Sequence, residues 1–501
     1  MAEQPQDQPQ KPEAHFLRGS LWILALRWTV RLTGLVSTVI LARILSPSDF
    51  GIVAIAMIVV NLLDVLRQTG EVLAIIRHPN PTRAHYDSAW TVSVGTGMLV
   101  GILIFAIAPF TGFYFHEPRS IPVMQFLALR AIIGGFENIG TLDFRRELRF
   151  DRYYLFNVYP KIASFIVTVV LAILIRNYWA LVAGILSGQL ASNVLGYIMQ
   201  PYRPRFSVAK VREIWSFSIW SLIRNIGSYL NGQVDLIAVG GISSAASLGR
   251  YSVADDLASS PINELNGPLI AALYPVLAKI QHLPDKSREL YLRAVAWSAI
   301  VCCSASVGVA LVAPDLVYVV LGKKWLDTIP LLGWLAVGAG ILGLSSGAYG
   351  TLDAFGLPHV GARMQWVRLI FLALAIVPVA LIWRDAESIA IARAFVAAVF
   401  IPTLFISVGR VLGVPLKQYF SALWRPFAAA ATMALGVSML NLVVHGPPIE
   451  RLAIDVLAGV ALYVGAIMCF WYLSSKPSSP EQDVHTYLGL AFGSMRTRFQ
   501  R

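Results

Sequence analysis

Charge is scarce in this chain. Only 14% of its 501 residues are Asp, Glu, Lys or Arg, against 56% hydrophobic, and the mean hydropathy is +0.65. A soluble domain needs about a quarter of its residues charged to cover its surface, so that class is excluded. Cysteine is almost missing. Cys302, Cys303 and Cys469 all sit in apolar blocks, and adjacent cysteines on a helix point in different directions. That excludes a disulfide scaffold, and no zinc-ligand spacing exists. There is no Gly-rich phosphate loop, hence no built-in ATPase, and no nucleophile elbow. The histidines fall in loops or tails, and no aqueous loop is long enough to hold a catalytic domain. No enzyme, cofactor or metal site is expected.

The abundant feature is apolar blocks of about 20 residues or more, long enough to cross a hydrocarbon core of about 30 Å. Without water, such segments satisfy their own backbones as helices. The short alternating segments of a membrane barrel are absent. About fourteen spans are expected, near 19–43, 51–76, 88–110, 121–142, 155–176, 178–200, 214–240, 250–278, 290–313, 328–354, 362–383, 387–410, 424–444 and 450–473. Residues 1–18, rich in Gln and Pro, read as a disordered tail rather than a signal peptide.

The net charge of +12 is explained by basic cytoplasmic loops, not by nucleic acid. With a cytoplasmic amino terminus, the cytoplasmic segments hold roughly 25 Lys and Arg and the opposite loops about 8. An even helix number with both ends cytoplasmic follows. Phe144–Tyr154, basic and aromatic, suits the headgroup surface.

An internal repeat is visible. Ser20-Leu21-Trp22 matches Ser218-Ile219-Trp220, and at the same offset Ser46 matches Ser244 and Gly51 matches Gly249. Parallel repeats of this kind build transporters. The expected layout is a lobe at 19–200, a second at 214–410, two added helices at 424–473, and a cytoplasmic tail from 474 to 501.

Ionisable groups inside a bilayer are expensive and usually face a bundle interior or an aqueous cavity. Arg27 and Arg31 lie one turn apart on the first span, whose own face supplies no acid. Asn61, Asp64, Arg67, Gln68 and Glu71 form one stripe on the second. Arg130, Glu137 and Lys161 follow. Arg224, Asn231 and Asp235 share a face of the seventh span, and Asp255 and Asn263 one of the eighth, which Pro261 and Pro268 interrupt. The later spans read as clean apart from Arg393. Internal ion pairing is the competing explanation for Arg67, Arg224 and Arg393. Arg27 and Arg31 need two anions, and a guanidinium fork suits phosphate oxygens.

The stretch Leu41-Ala-Arg-Ile-Leu-Ser-Pro-Ser-Asp-Phe-Gly51 and the stretch Phe144-Arg-Arg-Glu-Leu-Arg-Phe150 resemble the polysaccharide transporter family of the multidrug/oligosaccharidyl-lipid/polysaccharide exporter superfamily. The resemblance implies an all-α polytopic membrane protein, with two six-helix lobes around a central cavity plus two C-terminal helices. It implies a flippase for undecaprenyl-diphosphate-linked oligosaccharide in a bacterial inner membrane, feeding exopolysaccharide, capsule or O-antigen synthesis by alternating access. Partners would be the polyprenyl-linked sugar, membrane lipids and the polymerase and export proteins of that pathway. On this reading Arg27, Arg31, Arg67, Arg130, Lys161 and Arg224 meet the diphosphate. Asn61, Gln68, Asn231 and Asn263 meet sugar hydroxyls. Asp64, Asp235 and Asp255 are candidates for coupling to Na+ or H+. The alternatives are a cation-coupled drug exporter, disfavoured by the excess of cations, and a non-transporting scaffold.

Overall fold

The computed structural model describes residues 12–67, 75, 80–215, 219–474, 480 and 482. Among these there is no strand. The long helices are α1 (Pro12–Ile44), α2 (Pro47–Arg67), α3 (Arg83–Tyr114), α4 (Ser120–Gly135), α5 (Phe150–Ile175), α6 (Trp179–Met199) and α7 (Ile219–Ile242). Then come α8 (Ala245–Ile280), α9 (Pro284–Leu316), α10 (Ile329–Leu344, resumed as Ser346–Ala354), α11 (Pro358–Trp383), α12 (Ala386–Leu412), α13 (Leu416–Val443) and α14 (Pro448–Leu473).

Each expected span overlaps one of these helices, although residues 68–74 and 76 of the expected 51–76 span and 216–218 of the expected 214–240 span lie outside the described residues. Eleven are long and apolar enough to cross a membrane, or twelve if α4 and the short helical stretch Ile139–Arg146, bent by 70° from it, make one span. The chain is an all-α polytopic membrane protein. The remaining helices, α7 and α8, fall short because they carry the polar stripes: Arg224, Asn231 and Asp235 on one, Arg250, Asp255, Asp256 and Glu264 on the other. The expected disorder up to residue 18 needs correction, since α1 already starts at Pro12. The run Glu13–Leu17 holds no helix breaker, so the helix propagates back from the apolar span. Residues 1–11 lie outside the described residues.

Local chemistry sets the helix starts. The Ser46 Oγ accepts from the Asp49 amide at 3.3 Å, and the Asp49 carboxylate accepts from the Ser46 amide at 2.9 Å. This reciprocal pair fixes the turn from α1 into α2. Its repeat counterpart, Ser244, caps α8 by accepting from the Ser247 amide. Asp385 caps α12 the same way.

The chain divides into two compact units, Met1–Tyr229 and Leu230–Arg501. The boundary falls inside α7 rather than in the 200–214 connection where the sequence places it. Residues 202–213 are strapped to α3. Tyr202 donates its hydroxyl to Asp87 at 2.5 Å, and the Arg205 amide donates to the same carboxylate at 3.0 Å. The Ser207 amide reaches Thr91 and the Lys210 amide reaches Ser88. Burial, reinforced by the Asp87 carboxylate, pushes the Tyr202 phenol well above its usual pKa, so it stays a donor. Tyr229 then donates to the Ile58 carbonyl of α2 at 2.6 Å.

In the first unit α3 crosses α4 with backbones in contact. A Cβ on Gly97 would stand 2.7 Å from the Gly135 Cα. The break after α4 is held by buried Asn138, which accepts from the Gly140 amide and donates to the Tyr202 carbonyl. In the second unit, a core built on Tyr291, Val295, Cys302, Leu404 and Phe405 joins α9, α10 and α12, and a second, on Cys303, Met433, Tyr463 and Ile467, packs α13 and α14 on α9. The two added helices are therefore part of the second unit.

Candidate functional site

In the first unit, α1 and α5 pack side by side in the same direction. Gly19 meets the Phe150 ring near one end, and Leu41 clusters with Ala172 near the other. Between them the Thr29 and Tyr154 hydroxyls are 3.1 Å apart. The advance along the two helices is equal, so Lys161 stands at the height of Arg31, with Arg27 one turn away, about 6 Å. Arg27 and Lys161 are exposed and have no ion-pair or hydrogen-bond partner among the described residues; Arg31 is half-buried. Three cations thus fall within one turn of each other on a helix pair that brings no acid to that stretch.

The other first-unit cations are used differently. Asp64 on α2 faces two guanidinium groups. Arg130 of α4 donates at 2.8 Å, and Arg67 lies at 3.5 Å. Gly134 makes this possible, because a Cβ there would stand 2.8 Å from Arg67 Nη1. Arg67 also acts electrostatically on Glu137, which accepts from Ser192. Asp64 thus faces both guanidinium groups, so internal pairing engages Arg67 and Arg130. Asn61, one turn before Asp64, is half-buried and makes no hydrogen bond among the described residues. Gln68 and Glu71 lie outside the described residues, and so does the Arg224 side chain, although its backbone belongs to α7.

In the second unit the structure brings Asp235 (α7), Asp255 (α8) and Arg393 (α12) together. Arg393 Nη1 donates to Asp235 at 2.5 Å and to Asp255 at 2.8 Å. The Tyr251 hydroxyl donates to Asp235 at 2.8 Å. Asp235 is 0% exposed and Arg393 9%. Arg368 of α11 lies within electrostatic reach of both. Both acids share the one Arg393 guanidinium, so the candidate coupling acids already hold a protein cation. Beside them a cavity of about 500 Å³ is lined by Ser259, Asn263, Asn266, Ser346 and Arg393. Asn266 is fully engaged: it donates to the Gly343 carbonyl and Ser346 and accepts from Ser298. Exposed Asn263 leaves its amide to the cavity. Asn231 instead ties α7 to α11 through the Gln365 carbonyl at 2.8 Å.

Sequence reasoning missed three polar groups of the second unit. Arg368 lies inside α11, within the expected 362–383 span, but was not singled out beside Arg393. Tyr251 carries no sequence signal beyond lying one turn before Asp255. Asp455 sits in a span that reads as clean but is a carboxylate 2% exposed. Among the described residues no group of three or more His, Cys, Asp or Glu is arranged to hold a metal ion.

A family model described as "polysaccharide biosynthesis protein" matches residues 40–330. The lipopolysaccharide biosynthesis protein WzxC of Escherichia coli K12 is 25% identical over 442 residues, 86% of this chain and 88% of that protein. The succinoglycan biosynthesis transport protein ExoT of Rhizobium meliloti is 24% identical over 341 residues, 67% and 68% of the two chains. Among solved structures, the lipid II flippase MurJ in an inward closed conformation superposes with a TM-score of 0.75. It covers 90% of this chain and 99% of its own, at 12% identity. That likeness shows the fold.

Proposed function

We propose that this chain, which belongs to the polysaccharide biosynthesis protein family, is a flippase. It moves undecaprenyl-diphosphate-linked oligosaccharide repeat units from the cytoplasmic to the periplasmic leaflet of a bacterial inner membrane by alternating access, and it is not an enzyme. Both termini are cytoplasmic, and α7 and α8 cross the membrane with the others to make fourteen spans. The observation that carries this reading is the grouping of Arg27, Arg31 and Lys161 on α1 and α5. A diphosphate supplies the anion that Arg27 and Lys161 lack among the described residues. Guanidinium forks bind its oxygens in pairs, and the low local dielectric strengthens the attraction. The Asn263 cavity of the second unit offers amide and hydroxyl groups of the kind that pair with sugar hydroxyls.

Coupling to Na+ or H+ enters by competition. Asp64, Asp235 and Asp255 already face guanidinium groups, so an entering cation acts by displacing Arg130 or Arg393. A ligand favouring one arrangement shifts the population toward it.

The test is translocation of a labelled polyprenyl-diphosphate oligosaccharide in proteoliposomes. Wild type transports, and Arg27→Ala/Arg31→Ala, with folding verified, loses the activity. Transport by both proteins removes the diphosphate role of α1 and keeps the flippase. Absence of wild-type transport across a panel of lipid-linked sugars and ion gradients refutes the flippase.

A further inference from the structure

A second cavity in the Leu230–Arg501 unit lies apart from the polar groups described above. It has a volume of about 470 Å³ and runs between α8, α9, α13 and α14. Its walls are apolar, with Val301, Val312, Met433, Val437 and Ile467 among them. Leu265 and Val460 also line it and are 53% and 60% exposed, so it opens sideways to the hydrocarbon phase.

One charged group lines this cavity, and it is Asp455 of α14. Neither of its carboxylate oxygens makes a hydrogen bond, although the residue is 2% exposed. Asn441 of α13 faces it without hydrogen-bond geometry. One turn earlier on the same helix, Arg451 donates through Nη2 to Asp315 at the end of α9, at 2.5 Å, while its Nε is buried without a partner. The charged groups here are Asp315, Arg451 and Asp455, which leave one negative charge. A buried, unpartnered carboxylate costs several kcal/mol unless something neutralises it. An acid and a base one helical turn apart, each with unused hydrogen-bonding atoms, form a complement for a zwitterion. The lining extends along α14 from Asp455 to Met468, about 20 Å at helical rise, comparable with an extended acyl chain.

We propose that this cavity binds a phospholipid with a primary ammonium head, an ethanolamine phospholipid. Its ammonium sits at Asp455, its phosphate at Arg451, and one acyl chain fills the apolar groove. The inference goes beyond the flippase reading, because no group assigned to substrate takes part.

Native mass spectrometry of the purified full-length protein, given defined lipids of matched chains, tests it. Wild type should retain ethanolamine over choline phospholipid by about tenfold, since a quaternary ammonium donates no hydrogen bond to Asp455. Asp455→Asn should lose that preference and Asp455→Glu should keep it. Equal retention of the two lipids by wild type overturns the proposal, and that comparison stands even if the variants fail to fold. So does an unchanged preference in folded Asp455→Asn. Tighter retention of an anionic glycerol phospholipid, or no lipid held and only a proton taken up, also overturns it.

Discussion

Removing Arg393 should damage the second unit more than removing any exposed arginine. In Arg393→Met the side-chain volume is roughly kept, but two donations of 2.5 and 2.8 Å are lost. Asp235, fully buried, keeps only the Tyr251 hydroxyl, and Asp255 faces it with like charge. Taking one partner from a buried ion pair costs about 3–5 kcal/mol, mostly because the other charge stays behind uncompensated. At about 2 °C per kcal/mol for a unit of this size, the apparent unfolding midpoint in detergent should fall by about 6–10 °C. The triple variant Asp235→Asn/Asp255→Asn/Arg393→Met removes the stranded charges and should recover at least half of that loss. A midpoint for Arg393→Met within about 1 °C of wild type would mean the three groups are not coupled as described. A triple variant as unstable as the single would place the cost in packing and not in charge.

Further outcomes can be checked on the same purified protein. Asp64→Asn leaves Arg67 and Arg130 facing each other without their shared acid, and a double-mutant cycle with Arg130→Gln should return a coupling of about 1 kcal/mol or more; zero coupling refutes the bridge. Gly97→Val drives methyl groups into the Gly135 backbone and should cost about 1–3 kcal/mol, read as a lower midpoint, whereas Gly95→Val meets open space and should not. In the loop before α4, the bond from Arg119, with its charge, holds the Glu117 carboxyl below the usual carboxylate range. A depressed folded value stabilises above the unfolded pKa and is lost as pH falls through the folded one. The midpoint of wild type should therefore drop more than that of Glu117→Gln below about pH 4.5. The effect is small because Arg119 is largely exposed, and identical pH profiles would refute it.

The sequence by itself determined the helices. Runs of about 20 apolar residues admit no other backbone in lipid, and Ser46, Ser244 and Asp385 mark helix starts through short-range bonds to nearby amides. It also located the cations at Arg27, Arg31 and Lys161, because helical periodicity places residues on faces without any knowledge of neighbours. Which charges cancel was decided only by the tertiary structure. Asp64 and Arg130 are 66 positions apart in sequence and Asp235 and Arg393 are 158 apart, and no local rule relates them. The same holds for the unit boundary. The 202–213 segment reads as a linker until Tyr202 and its neighbours find Asp87, Ser88 and Thr91. Asp455 was invisible for the opposite reason. A single acid in an apolar span attracts no notice, and only the packing of α8, α9, α13 and α14 reveals that it is buried without a partner. Electrostatic pairing depends on distance in space, and a chain specifies those distances only once it has folded.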